Sequence, residues 1–357
     1  MTKQIAVLPG DGIGPEVTKQ VIRLLRWIED QDESVDWELN KYDVGGISID
    51  RHDEPLRDQV LSDCKQADAI FLGAVGGPKW DELPVHKRPE KALLRLREEC
   101  ELFANLRPAR IYEELVDRSP LKNKIAVQTN FLVVRELTGG IYFSMPRGVE
   151  GKGPGRRGYN TMAYTADEIE RITEVAVRAA REREGKIHSI DKANVLETSK
   201  VWRGTVEKTV PEDIELGHFY VDNASMQLIQ DPGQFDVILT GNLFGDILSD
   251  EAAQICGSIG LLPSASLGDG HLGMYEPVHG SAPDIAGEGI ANPLAAILST
   301  AMMLRYSLDQ SEWALTIEES VRTFIKQGHR TFDLAAGKDE AFNTRETGEK
   351  VLELMEK

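Results

Sequence analysis

Asp246 and Asp250 stand four residues apart in "FDVILTGNLFGDILSD" (235–250). Side chains at i and i+4 share one helix face, about 6 Å apart along the axis. Two like charges so placed weaken a bare helix, so the pair asks for a compensating charge. A hard divalent cation is one answer, and two solvated acids on a helix surface are the plain alternative. Arginines supply the opposite chemistry. In "LRLREECELFANLRPAR" (94–110) the pattern predicts a helix and its exit turn, with Arg97 at the start and Arg107 at the end. Arg135 follows four apolar residues in "FLVVRE", and an arginine beside a buried strand is costly unless an anion pairs with it. A structural ion pair is the ordinary role of each. Taken with Lys192, which follows "IHSID" (187–191), the three begin to form a clamp for a polycarboxylate. Tyr142 comes just after Gly139-Gly140, where a phenol can be held close to a ligand.

Short apolar runs alternating with amphipathic ones must position these groups. "IAVL" (5–8), "AIFLGAV" (69–75), "IHSID" and "FDVIL" (235–239) read as strands. "TADEIERITEVAVRAARERE" (165–184) reads as an amphipathic helix, with acids early and bases late as the macrodipole favours. "PLAAILSTAMMLRY" (293–306) is apolar nearly all round and predicts a buried helix whose methionines fill the core. The alternation predicts an α/β protein with a parallel or mixed sheet covered by helices. The Gly/Arg-rich "GVEGKGPGRRGYN" (148–160) predicts an exposed loop or arm.

Composition excludes several classes. With 357 residues the chain suffices for one large domain or two ordinary ones. Lys and Arg total 41 against 59 Asp and Glu, a net charge of −18, which argues against a nucleic-acid surface. Cys64, Cys100 and Cys256 are odd in number and widely spaced, which predicts reduced thiols in a cytoplasmic protein and no structural zinc site. No apolar stretch reaches the roughly 18 residues of a membrane span, and Pro9-Gly10-Asp11 interrupts the first apolar run too early for a signal peptide.

A nucleotide site is harder to read. "GDGIGP" (10–15) follows a strand and opens a helix whose Pro15 suits the first turn, but it lacks the third glycine of the dinucleotide fingerprint. "GMYEPVHGSAPDIAGEGIANP" (273–293) combines glycines, prolines, a histidine and acids with almost no periodicity. A long irregular segment within a compact domain is usually functional.

The stretches "LFANLRPA", "VRELTGGIYF", "DKANVLE", "GNLFGDILSD", "GLLPSASLG" and "EPVHGSAPDIAGEGIANP" resemble the isocitrate/isopropylmalate dehydrogenase family of decarboxylating β-hydroxyacid dehydrogenases. The resemblance runs from "AVLPGDGIGPEV" to the helix near residue 305. It implies an α/β fold of two domains around a central cleft, distinct from a standard Rossmann fold. The implied first domain is discontinuous, 1–102 plus 257–357, and carries the NAD-binding loops and both termini. The second, 103–256, is inserted; it carries metal-binding acids and forms a homodimer interface.

The resemblance further implies an NAD-dependent oxidative decarboxylation assisted by Mg²⁺ or Mn²⁺, with active sites shared between the two subunits. Asp246 and Asp250 would bind the metal, joined by Asp222 from a second copy, which also touches substrate. Lys192 would accept the hydroxyl proton, Tyr142 would protonate the enol carbon, and Arg97, Arg107 and Arg135 would hold carboxylates. Glu90, Leu93, Leu94 and Val195 would face the variable group of the substrate. The last three offer only apolar surface, which suits the isopropyl group of 3-isopropylmalate and hence a step of leucine biosynthesis. Homoisocitrate, tartrate and isocitrate remain same-class alternatives. Gly77, Glu90, Glu276 and Asn292 would bind NAD together with the run His279, Gly280, Ser281, Ala282, Pro283, Asp284 and Ile285. Within that run Asp284 would accept from the adenosine ribose hydroxyls, as an acceptor-only carboxylate can. A metal-dependent hydrolase or lyase would use the acids but leave the 273–293 segment idle. A non-catalytic binding protein has no use for Lys192 and Tyr142 together.

Overall fold

The computed structural model describes residues 2–335 and 341–356, so residues 1, 336–340 and 357 of the expected first domain lie outside the described residues. Along the chain the strands are β1 (Lys3–Gly10), β2 (Trp37–Lys41), β3 (Ala69–Ala74), β4 (Ala104–Arg110), β5 (Asn130–Glu136) and β6 (Gly148–Glu150). They continue with β7 (Arg157–Tyr159), β8 (Lys186–Asp191), β9 (Glu215–Tyr220), β10 (Val237–Thr240), β11 (Pro263–Leu267) and β12 (Gly273–Pro277). The chain divides into two compact units. Unit 1 comprises Met1–Leu102, Tyr112–Arg118 and Gly257–Lys357, and unit 2 comprises Phe103–Ile111 and Ser119–Cys256.

In unit 1 the strand order is β2-β1-β3-β12-β11, parallel except for the β11–β12 pair. All six residues of β3 are buried, as expected of a parallel strand covered on both faces. Leu8, Ile70, Leu72 and Met274 from this sheet pack with Val60, Cys64 and Leu96 from flanking helices. The helix Leu294–Tyr306 is buried without a break from Leu294 to Leu304, which explains why its sequence shows no polar face. Cys64 and Cys256 are buried and Cys100 is half-buried, all three as free thiols.

In unit 2 the order is β4-β5-β10-β8-β9, with β4 antiparallel to β5 and the remaining pairs parallel. The helix Ala166–Arg181 begins in a capping box, Thr165 accepting from the Glu168 N–H while Glu168 returns to the Thr165 N–H. Its buried stripe includes Ile169, Ile172, Val175 and Ala176. The Gly/Arg-rich segment forms an exposed hairpin of β6 and β7, with Val149 directed into solvent.

Two expectations fail. Arg97 does not open a helix and Arg107 does not leave one: the helix Glu90–Glu99 carries Arg97 in its last turn and stops at Cys100, Glu101 turns the chain with φ 54°, and Arg107 lies in β4. The segment 273–293 is not irregular throughout, since it opens with β12. Met274 and Tyr275 there are wholly buried, and the Tyr275 hydroxyl meets Ser307 Oγ at 2.6 Å. A strand covered on both faces has no alternation to betray it.

The glycine turn after β1 is pressed against the segment that follows β12. Ile13 N–H donates to Ser281 O at 2.8 Å, and Gly287 N–H donates to Glu16 Oε1. Gly12 has φ +58°, and a Cβ there would stand 1.9 Å from Ser281 O. Gly153, with φ +59°, would meet nothing within 4 Å. The left-handed backbone costs an added side chain roughly 1–2 kcal/mol at either position. Gly12→Ala is therefore expected to lower the calorimetric unfolding midpoint well beyond Gly153→Ala. Equal shifts would show that the two segments are not in forced contact.

Candidate active site

The helix Asn242–Ile255 of unit 2 starts directly after β10. Gly241 at its N-cap offers no side chain, so the Asn242 N–H donates instead to the Tyr164 hydroxyl at 2.8 Å. From this helix Asp246 faces two arginines. Arg135 Nη1 donates to Asp246 Oδ1 at 2.5 Å, and Arg107 Nη1 lies 3.9 Å from the same oxygen and 3.5 Å from Asp250 Oδ1. Arg135 is buried within β5 and its stem lies along Gly245, where a Cβ would come within 2.7 Å of it. Arg107 is steadied by Asn105 Oδ1 and Ser249 Oγ, each at 2.7 Å.

Tyr142 donates its hydroxyl to Asp246 Oδ2 at 2.8 Å. Burial and the Asp246 carboxylate push the phenol up to about 12, so it stays protonated at any ordinary pH. Burial alone would raise Asp246, but Arg135, the Tyr142 hydroxyl and Arg107 outweigh it and hold the carboxyl below its usual range. Asp250 shifts the other way, raised by burial and by its neighbour Asp246 against the pull of Arg107. One acid is firmly ionised and the other is the easier to protonate. The turn leading to Tyr142 is pinned by Glu136, a fully buried carboxylate that accepts from Gly139 N–H at 2.8 Å and from both Thr138 donors at 3.1 Å.

Lys192 follows β8 and pairs with Asp222 of the same chain. Asp222 opens the helix Val221–Gln230 and is exposed. It does not join Asp246 and Asp250, for among the described residues no group of three or more acids, histidines or cysteines could hold a metal ion. Val195 is 65% exposed.

Unit 1 holds the remaining candidates. Glu90, Leu93, Leu94 and Arg97 form one stripe of the helix Glu90–Glu99, while Ala92 and Leu96 point into the core. Leu93 is half-buried against that core. Glu90 lies against the Gly76-Gly77 corner, where a Cβ on Gly76 would stand 2.9 Å from its carboxylate. Arg97 is buried, pairs with Glu276 at 3.0 Å, and keeps an Nε without a partner among the described residues. His279 is buried too. Its Nδ1 donates to Gly280 O at 3.0 Å, burial lowers its pKa so the ring is neutral, and Nε2 is left as an acceptor with no partner among the described residues. Ala282, Pro283, Asp284 and Ile285 form a half- to fully exposed turn. Asn292 is buried, its amide donating to Asp333 at 3.1 Å and accepting from Leu294 N–H.

Residue types alone do not point to Asn242, Glu136 or Tyr164. A faint signal exists for the first, since 242, 246 and 250 continue a single i,i+4 stripe.

The chain matches the profile of the family described as isocitrate/isopropylmalate dehydrogenase over residues 4–351. It is 54% identical to a 3-isopropylmalate dehydrogenase of Chromohalobacter salexigens over 355 residues, covering 99% of this chain and 98% of that one. It is 56% identical to one from Gloeobacter violaceus over 359 residues, with the same shares covered. Among solved structures, an isocitrate dehydrogenase from Methylococcus capsulatus superimposes with TM-score 0.87 at 32% identity, covering 99% of this chain and 100% of that one. A beta-decarboxylating dehydrogenase from Thermococcus kodakarensis gives 0.79 at 34% identity, with 99% and 96% covered.

Arg135→Met leaves Asn242 Oδ1 and Asp246 without their buried donor, which costs about 1–3 kcal/mol. Lys192→Met removes an exposed, solvent-screened ion pair that adds little to stability. Thermal unfolding of the two variants is expected to show the larger loss for Arg135→Met, and the reverse order would contradict the burial assigned to that arginine.

Proposed function

The chain belongs to the isocitrate/isopropylmalate dehydrogenase family, and on that premise we propose NAD-dependent oxidative decarboxylation of (2R,3S)-3-isopropylmalate to 4-methyl-2-oxopentanoate and CO₂ in leucine biosynthesis. The observation that carries it is end-to-end identity above 50% to 3-isopropylmalate dehydrogenases, against 32% to an isocitrate dehydrogenase of the same fold. Leu93 and Leu94 agree, since a third carboxylate would find no donor on their surface.

The acids fit a divalent cation. Asp246 and Asp250 present hard carboxylate oxygens, with no sulfur or nitrogen ligand beside them among the described residues, the donor set of Mg²⁺ or Mn²⁺. Mg²⁺ is commonly held by one or two carboxylates, with water and substrate oxygens completing its shell. The unpartnered Nε2 of His279 fits a nucleotide donor, and the exposed Asp284 fits ribose hydroxyls while opposing a 2′-phosphate. That arrangement favours NAD over NADP.

In the reaction Arg107 and Arg135 hold the carboxylates of the malate core, with Arg97 donating from the helix that carries Leu93 and Leu94. When bound, NAD would supply a hydride acceptor for C2, and a divalent cation held by Asp246 and Asp250 would supply a Lewis acid for the C2 oxygen. Lys192 is the group assigned to the C2 hydroxyl proton, and Asp222 holds its Nζ in place. After CO₂ leaves, Tyr142 delivers its phenolic proton to C3, and the raised pKa keeps that proton on the ring until it is needed.

A second copy completes the site in this reading. Met226 and Ile229 are 59% and 50% exposed on the helix of Asp222, at i+4 and i+7 from it. Ile247, 56% exposed, lies three residues before Asp250 on the adjoining helix. Covering these apolar side chains with an identical chain carries Asp222 and its Lys192 into the interface, where they can meet the acids and arginines of the other copy.

Three experiments test this. In the presence of NAD⁺, Mg²⁺ and 3-isopropylmalate the enzyme should produce NADH. Asp246→Asn should lose about tenfold or more in Mn²⁺ affinity, since affinity follows ligand charge. Electron paramagnetic resonance of free Mn²⁺ reads that loss without turnover, and unchanged affinity in a folded variant would remove Asp246 from the metal site. For the shared site, Arg97→Ala and Lys192→Met homodimers should both be inactive, while co-expressed chains regain activity in the heterodimer. Verified heterodimers without activity would assign both groups to one chain.

A further inference from the structure

Asn242 is 1% exposed, and its side-chain amide has all its bonding capacity in use. Oδ1 accepts from Arg135 Nε at 3.1 Å and from Arg135 Nη2 at 2.7 Å. Nδ2 donates to Leu137 O at 2.9 Å and to Gly139 O at 3.1 Å. One neutral group therefore joins the arginine of β5 to the turn that presents Tyr142 three residues later. Both ends of this bridge also converge on Asp246, through the Arg135 Nη1 contact and the Tyr142 hydroxyl.

We propose that Asn242 is a positioning residue, a neutral clamp that fixes the Arg135 guanidinium for a substrate carboxylate and sets the Tyr142 turn against it. The proposal rests on the roles given above to Arg135 and Tyr142. The residue type is what the geometry requires. Arg135 already has one anionic partner, Asp246. A second carboxylate in place of the amide would take Arg107, Arg135, Asp246 and Asp250 from zero formal charge to −1 and repel a substrate anion. It would also have no N–H to give, so the Leu137 and Gly139 carbonyls would face an oxygen in a buried site. A small apolar residue would leave the two arginine donors and both carbonyls unpaired. An amide alone supplies two acceptor positions and two donors without charge. Its position is equally constrained, because as the first residue of the acid helix it moves rigidly with Asp246.

A clamp of this kind separates binding from proton delivery in measurable ways. Asn242→Asp should raise the KM for the hydroxyacid by tenfold or more while leaving the KM for NAD⁺ unchanged, because the added charge lies beside Arg135. Asn242→Ala releases the turn and should lower kcat by about 10²-fold, the cost of misplacing a reacting group by about 1 Å. Double-mutant cycles make the test specific. If Asn242 acts through the Tyr142 turn, Asn242→Ala added to Tyr142→Phe should cost little further in kcat. If it acts through the guanidinium, Asn242→Asp added to Arg135→Met should cost little further in KM.

A merely structural role would give additive losses in both cycles together with a raised KM for NAD⁺ and a lowered melting temperature, and that result overturns the clamp. A collapsed Asn242→Ala leaves the isosteric Asn242→Asp to decide through the KM cycle. Should Tyr142→Phe and Arg135→Met themselves behave as wild type, the catalytic roles fail rather than the clamp's logic alone, so the two failures are told apart by the single variants.

Discussion

A carboxylate half out of water is stable as an anion only with positive charge close by, and Asp246 satisfies that condition with Arg135 at 2.5 Å and Arg107 at 3.9 Å. Most of unit 2 that bears on chemistry follows from this contact. The arginine at its far end is buried in a strand and needs a second, neutral acceptor, which Asn242 supplies. The phenol that donates to the other carboxylate oxygen has its proton locked on by the same charge. Taken together, Arg107, Arg135, Asp246 and Asp250 sum to zero formal charge. A dianionic malate core and a divalent cation also sum to zero, so the two can enter together without leaving net charge in a partly dehydrated place, whereas either alone unbalances it.

The acids are held in this arrangement by rigid elements. Asp246 and Asp250 ride one helix that begins at a strand end, and Arg107 and Arg135 stand on adjacent antiparallel strands. The nucleotide candidates of unit 1 are fixed by a different device. Asp11 is buried and accepts from the Gly46, Ile47 and Gly76 N–H groups, tying together the loops that follow three strands, while Gly12 lets Ser281 come close. Burial raises the Asp11 carboxyl even against those three donors, so it acts as a buried structural tie and not as a solvated surface acid.

How much of this was legible in the chain differs by the range of the interaction. The Asp246–Asp250 pair and the capped helix from Ala166 are legible because their periods are local, and the helix from Leu294 because its apolar run is too long for a strand. Arg107 was misread as a helix exit because its strand character comes from pairing with Val133 of β5, a contact that sequence spacing does not display. β12 escaped because a strand buried on both faces loses the alternation that marks strands. The site residues are legible through resemblance and residue type. Asn242 was passed over because its partner Arg135 lies 107 positions away, and an asparagine at the start of a helix ordinarily passes for a turn residue.

Charge balance at Asp246 is therefore the claim to test most directly, and it can be tested without turnover. Mn²⁺ is titrated into the wild-type protein by calorimetry with and without 3-isopropylmalate, in the absence of NAD⁺. If the neutral cluster takes dication and dianion as a pair, 3-isopropylmalate should raise Mn²⁺ affinity about tenfold or more, and Mn²⁺ should raise 3-isopropylmalate affinity by the same factor, as linkage requires. Mn²⁺ affinity that is indifferent to 3-isopropylmalate would contradict it.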